Sequence, residues 1–278
     1  MKLLKFKRGN AKLNTSIGIL DIAAGHSCPM ANECFSIADK ITGKITDGQN
    51  TKFRCYAASA EAAFPSVRRL RWHNFDLLKQ AGTVEKMATL IDKSMPKNVS
   101  YIRIHSSGDF FNEKYFLAWL NVALNNPNII FYCYSKMLNF VVKYNSKIPA
   151  NFRITASYGG KLDSLIETHN LISAKVISSV KEKNKLKLEI DHDDSLPIKH
   201  EKNFGLYLHN TQPAGSQAAK DLKELRKLMI GGYGVKFGKN NETPITKKIK
   251  VFIDFKPESV KLKPMKFTMN KNKQLTLA

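Results

Sequence analysis

Three of the four cysteines in this chain, Cys28, Cys34 and Cys55, fall within its first fifth, in GHSCPMANECFSIADKITGKITDGQNTKFRCYAAS. Five residues separate the first pair, and twenty separate the second from the third. Thiolates are soft ligands that select zinc or iron–sulfur clusters. A tetrahedral structural zinc needs a fourth ligand, such as His26, His73 or the distant Cys133, and the spacing lacks the paired C-x2-C of common zinc modules. A [4Fe-4S] cluster tolerates more varied spacing and can leave one iron open to an outside ligand. Lys40, Lys44, Lys52 and Arg54 flank the loop, where positive charge favours thiolates and an anionic cluster. Cluster binding through Cys28, Cys34 and Cys55 is therefore the leading reading, with zinc and three unrelated cysteines as alternatives. Cys133, in FYCYSK, is either a small core residue or, if it faces the strand-end mouth, the fourth metal ligand.

Other groups able to do chemistry are scattered. His105 and Asp109 stand four apart across a glycine turn, as an acid–base pair or as parts of a hydrogen-bonded loop. The acidic DHDD run at 191–194 is either a carboxylate metal site or, more simply, a tight turn. Gly159–Gly160 and the PAGS of 213–216 would let a ligand approach the backbone, the second at a helix start suited to an anion. Arg68, Arg69 and Arg71, beside Trp72 and His73, either meet phosphates or form a solvated helix face.

These residues need a frame to position them. Short β-branched runs occur at 15–20, 100–105, 128–134, 152–157, 174–180 and 204–209. Helical patterns lie between them, one with Pro65 in its first turn, one capped by Thr83, one capped by Asn112, and others at 138–144, 162–169 and 216–229. Alternating strands and helices predict an α/β fold with a parallel sheet, either doubly wound or a barrel. Six strand–helix units are too few for a full eight-stranded barrel, so a partial (β/α)6 TIM-like barrel is expected over 1–230, with the cysteine loop at about 21–60. Polar groups fall at the C-terminal strand ends, where active groups of such folds sit.

From residue 231 onward the composition shifts to 11 Lys against three acidic residues, a basic C-terminal extension over 231–278 in which KKIKVFIDF reads as a strand. The whole chain has 45 Lys plus Arg against 23 Asp plus Glu, a formal charge of +22. An acidic partner would offset that charge, and DNA or RNA is the expected one, although Lys-rich composition also follows from an AT-rich genome. No apolar run is long enough for a signal peptide or a membrane span, which implies a reducing intracellular compartment and no membrane partner.

The segment YIRIHSSGDFFNEKYFLAWLNVALNNPNIIFYCYSK resembles a central unit of radical S-adenosylmethionine (radical SAM) enzymes. There a strand ends in a Gly-Gly-Glu motif, which Ser107, Gly108 and Asp109 match in position. The resemblance implies a six-stranded partial barrel, a [4Fe-4S] cluster on Cys28, Cys34 and Cys55, and S-adenosylmethionine bound near Ser107, Gly108 and Asp109. His105 and Asp109 would then be the catalytic candidates. The expanded cysteine spacing and the altered glycine–acid motif make the cluster carry over better than the S-adenosylmethionine site. The blocks SCPMANEC, GKITDG, FRCYAASAEA, RWHNFDLL, RIHSSGDFF, EIDHDDS and HNTQPAGS, spanning about residues 13 to 230, resemble the phage gene-product-88-like family. That resemblance implies a bacteriophage protein in the cytoplasm of an infected bacterial host. Two rivals stand beside a radical SAM-like enzyme: a redox-sensing or non-catalytic cluster protein on nucleic acid, and a zinc-stabilised nucleic-acid-binding module.

Overall fold

The computed structural model describes residues 2–10, 13–228, 267–269 and 275–277. A short strand β1 (Phe6–Arg8) runs antiparallel to β2 (Ile17–Leu20). A long insertion follows, with a hairpin of β3 (Ser36–Ala38) and β4 (Ile45–Asp47) and then α1 (Tyr56–Ala63), α2 (Pro65–Ala81) and α3 (Val84–Ser94). The alternation then becomes regular: β5 (Tyr101–Ile104), α4 (Glu113–Asn125), β6 (Ile130–Ser135), α5 (Leu138–Lys143), β7 (Phe152–Ser157), α6 (Ser164–Thr168) and β8 (Ser173–Ile177). It ends with α7 (Val180–Leu186), β9 (Glu189–Ile190), α8 (Ser195–Lys199), β10 (Phe204–Tyr207) and α9 (Gln217–Lys227). A separate antiparallel pair, β11 (Phe267–Met269) and β12 (Leu275–Leu277), falls within the basic C-terminal stretch, most of which, KKIKVFIDF included, lies outside the described residues.

The main sheet has eight strands in the order β1-β2-β5-β6-β7-β8-β10-β9, and every pairing in it except β1 with β2 is parallel. The six long parallel members follow one another in chain order. A doubly wound sheet reverses direction partway, and these six strands do not; only the two-residue β9 falls out of chain order, at the edge beyond β10. The fold is thus mixed α/β with a mostly parallel sheet, whose outer members β1 and β9 are not paired to each other.

Local chemistry explains the elements. Thr83 caps α3 by accepting from the Lys86 N–H, and Asn112 caps α4 by accepting from the Tyr115 N–H. Pro65 opens α2, and Gly82 closes it in the left-handed region at φ +71°. Strand β6 is buried along nearly its whole length, as a strand covered on both faces must be. On one face Ile102, Ile104, Phe131, Cys133, Phe152 and Ile154 pack with the apolar sides of α2, α3 and α4. On the other, Ile17, Ile19, Tyr101, Ile130 and Tyr132 pack with Ile198 of α8.

That second face is concave. The Tyr134 ring of β6 meets the Phe204 ring of β10 with centroids 6.0 Å apart. At the usual strand spacing, three strand positions on a flat sheet would hold their backbones roughly 14 Å apart. Beneath them, α8 fills the hollow: Leu196 joins Ala174 and Phe204, while Asp194 accepts from Tyr132 Oη at 2.9 Å and pairs with Arg103 at 2.8 Å.

Candidate cysteine centre

The cysteine loop leaves the C-terminal end of β2 and fastens to three other strand ends. Ser27 and Ile22 pack on Gly108, in the turn after β5. The N–H groups of Asn32 and Glu33 both donate to Gly159 O, after β7, at 3.1 and 3.0 Å, and Ala31 forms a β-bridge with Gly160. Beyond the hairpin, the Arg54 N–H donates to Gln212 Oε1 at 2.7 Å and Ser59 Oγ donates to Thr211 O, both after β10. Tyr56 Oη donates to Ser106 O. The loop thus lies over the C-terminal mouth of the sheet.

Cys28, Cys34 and Cys55 are half-buried free thiols in this loop. Burial raises the Cys28 thiol well above its ordinary value, and the negative charges of Asp109, Cys55 and Cys34 raise it further. Cys55 is pushed up to about 11 by burial and by Cys34, against the opposing pull of the N–H groups at the start of α1 and of Arg71. The negative charge of Cys34 thus acts on both Cys28 and Cys55, and that of Cys55 acts on Cys28. A metal centre reverses that sign, because a coordinated thiol is deprotonated outright. Among the described residues no three His, Cys, Asp or Glu side chains form a group that could hold a metal ion.

A buried polar network anchors the loop. Glu61 of α1 accepts at Oε1 from the Ala24 N–H at 2.8 Å, from Arg71 Nη1 at 3.2 Å and from Ser107 Oγ at 3.4 Å. Arg71 also donates to Ala57 O at 2.8 Å. Burial favours the neutral carboxyl at Asp21, yet Arg71 and Lys7 outweigh it and hold Asp21 below the usual carboxylate range. Arg68 donates to Glu61 O, Lys40 O and Ile41 O, tying α2 to the Asp39–Gly43 turn. This corrects the phosphate-contacting reading of the arginine run: Arg68 and Arg71 are 6% and 4% exposed and serve the fold, and only Arg69 of the three is exposed. Glu61 was missed in sequence; its signal is a lone acid inside the alanine-rich YAASAEAA, where an amphipathic surface would carry several.

The Ser-Gly-Asp turn is spent on the same docking. Ser107 Oγ donates to Ile22 O at 2.9 Å. A Cβ on Gly108, at φ +96°, would come within 2.3 Å of Ile22 Cγ1 and 2.6 Å of Ser27 Oγ. Asp109 accepts from Ser135 Oγ at 2.7 Å and from the N–H groups of Lys136 and Phe110, each at 2.8 Å, so it joins the end of β5 to the end of β6. Burial raises its carboxyl despite these donors.

His105 and Asp109 do not form the expected acid–base pair. His105 Nε2 lies 2.9 Å from Tyr115 Oη, and its ring packs edge-on against Phe110. Burial drives the imidazole down to about 3, so it is neutral at physiological pH, with none of the proton affinity of a base working near neutrality. Cys133 points to the helix-covered face, among core residues that include Ile104 and Phe116, so it takes the core role and not the mouth-facing position a fourth ligand requires. His26 rests on Trp72, and His73 Nε2 lies 2.9 Å from Leu3 O. The DHDD run is a capped turn: Asp191 accepts from the Asp194 and Leu196 N–H groups, and Asp193 from Ser195. The N–H groups of Gly159 and Gly160 are both taken by Asp163 at 2.8 Å.

A family model described as Gene product 88 matches residues 3–225. The chain is similar to the Gene 88 protein of Mycobacterium phage L5, 30% identical over 151 residues that cover 51% of this chain and 56% of that protein. It is also similar to the Gene 88 protein of Mycobacterium phage D29, 28% identical over 158 residues that cover 53% of this chain and 59% of that one. The chain thus spans little more than half the length of these curated relatives. No solved structure matches it.

Proposed function

The chain belongs to the Gene product 88 family of bacteriophage proteins, and from that premise we propose that it is an iron–sulfur protein. Cys28, Cys34 and Cys55 hold a [4Fe-4S] cluster over the mouth of a partial (β/α)6 barrel resembling the radical SAM core. The observation that carries this reading is the seating of the loop that bears all three thiols across the C-terminal ends of parallel strands laid in chain order, with the charge of Cys34 acting on both Cys28 and Cys55. The donor set fits such a group. Three soft thiols carried on one loop are the donor type that iron–sulfur clusters take. A bound cluster supplies one-electron chemistry. The residues around it position and shield it: Glu61 and Arg71 fix α1 behind Cys55, and Gly108 lets the loop settle on the β5 turn.

A second reading, a redox or structural cluster protein that cleaves no S-adenosylmethionine and acts on nucleic acid, is favoured by one observation. Ser107, Gly108 and Asp109, the positions matched to the S-adenosylmethionine motif, are engaged with other parts of the chain.

Anaerobic purification with iron, sulfide and zinc analysis tests the cluster. Brown protein with bound iron and sulfide is expected, lost in the Cys28→Ser, Cys34→Ser and Cys55→Ser variants and kept in Cys133→Ser. Colourless protein carrying stoichiometric zinc, or iron retained without the three cysteines, would overturn it. Incubating the reduced protein with S-adenosylmethionine separates the two readings, since only the enzyme yields cleavage products.

A further inference from the structure

The junction of α1 and α2 carries an exposed surface of its own. Pro65 opens α2, and a proline pushes the residue before it out of helical conformation. Phe64 accordingly sits extended, at φ −123° and ψ 98°, and is 58% exposed. Of the Phe, Tyr and Trp residues described, it alone is exposed. Ile41, in the turn between β3 and β4, is 85% exposed. Buried Arg68 joins the two: its N–H donates to Phe64 O at 3.1 Å and its Nη2 to Ile41 O at 3.2 Å. Single exposed apolar residues need no explanation, but two hydrogen-bonded to one buried arginine do.

Charge says what would cover them. Lys44 follows Gly43, where a Cβ would lie 3.3 Å from Ala62 O at the end of α1. Arg69 follows Arg68 early in α2. Both are exposed, and neither side chain has a hydrogen bond or ion pair among the described residues. The acids of this region are already engaged. Asp76 takes Lys40 at 2.7 Å, and Asp47 takes Arg54. Asp39 accepts from the Ile41 and Thr42 N–H groups and from the Thr42 hydroxyl. Arg68, spent on three carbonyl groups, is closed to a ligand. An exposed aromatic ring with two unpartnered cations suits a base and its flanking phosphates. Two apolar side chains are too small an area to anchor a membrane.

We propose that this surface binds single-stranded nucleic acid, one base stacking on Phe64 while Arg69 and Lys44 meet the adjoining phosphates. The assignment rests on the nucleic-acid reading given above and names the surface for it. Stacking uses the face of a base, so little sequence preference is expected. Helix α1, eight residues and about 12 Å long, separates Phe64 from Cys55, so a bound strand lies one short helix from the cysteine loop.

Fluorescence anisotropy of short labelled oligothymidylate and oligouridylate with the full-length protein at low salt tests it. Phe64→Ala and Phe64→Leu should each weaken binding roughly fivefold or more and keep the salt dependence, as lost stacking does. Arg69→Glu and Lys44→Glu should weaken it and flatten the salt dependence, beyond the effect of Lys223→Glu on exposed α9. Phe64→Trp should bind as tightly as the unaltered chain, and the strand should quench the emission that the substitution adds. Failure of the intact chain to bind either strand would overturn both this surface and the nucleic-acid reading. Tight binding that Phe64→Ala and Arg69→Glu leave unchanged, or added emission unmoved by the strand, would overturn the surface alone. Binding of phosphatidylserine vesicles in place of the strands would reassign the surface to lipid and overturn the proposal as well.

Discussion

At the scale of the residue, His105 shows how burial decides chemistry. It closes β5 with a left-handed backbone, φ +67°, and its ring sits among Phe110 and Tyr115. In the unfolded chain its imidazole takes a proton near pH 6.5, but in the folded protein only at about 3. The folded value is depressed, so the unfolded state gains the proton first as pH falls. Stability from this group is complete above pH 6.5 and is lost progressively towards pH 3. Between pH 6.5 and 4.5 the loss amounts to roughly 2–3 kcal/mol. Urea unfolding across that range should show a shallower decline for His105→Gln than for the unaltered protein; equal slopes would mean that His105 is already charged in the folded state. At this scale the cysteines were legible from type and spacing alone. Glu61 and Arg71 were not, because an ion pair between neighbouring helices, ten residues apart, leaves no periodic trace in a sequence.

At the scale of the element, the docking of the cysteine loop on the β5 turn is the joint that matters. Gly108 is the one position there where a side chain has no room. Gly108→Ala combines a left-handed backbone with contacts too close to keep, at a cost of about 1–3 kcal/mol or more. The change should lower the urea midpoint and raise amide exchange across residues 21–34; unchanged exchange there would show that the turn does not seat the loop. The six parallel strands and the helices begun by Pro65, Thr83 and Asn112 were all readable, since periodicity and capping are local signals. The hairpin of β3 and β4, α1 and the short α8 were not. Each is held by partners distant in sequence, such as Arg68 on the Asp39–Gly43 turn or Tyr132 and Arg103 on Asp194. The polar strand-end residues were foreseen, but as ligand contacts, and a sequence cannot show that the chain itself occupies them.

At the scale of the whole molecule, strand order and charge carry the argument. The six long parallel strands, laid in chain order with α8 against one face, carry the cysteine loop across their C-terminal ends. Among the described residues no helix is long and apolar enough to cross a membrane. The +22 charge predicts binding to DNA or RNA that weakens steeply with salt, each neutralised phosphate releasing counterions. Deleting residues 231–278, with 11 Lys against three acidic residues, should reduce the slope of log affinity against log salt. Failure of the intact chain to bind either polymer at low salt would remove nucleic acid as the explanation for the charge. The cysteine loop has one more property, which follows from its three attachments, at Gly108, Gly159 and Gln212. A segment that both carries the thiols and ties the ends of β5, β7 and β10 makes the two tasks thermodynamically reciprocal. Whatever occupies the thiols tightens the rim as far away as Gln212, and whatever pries at Gln212 loosens the hold on the occupant by the same factor.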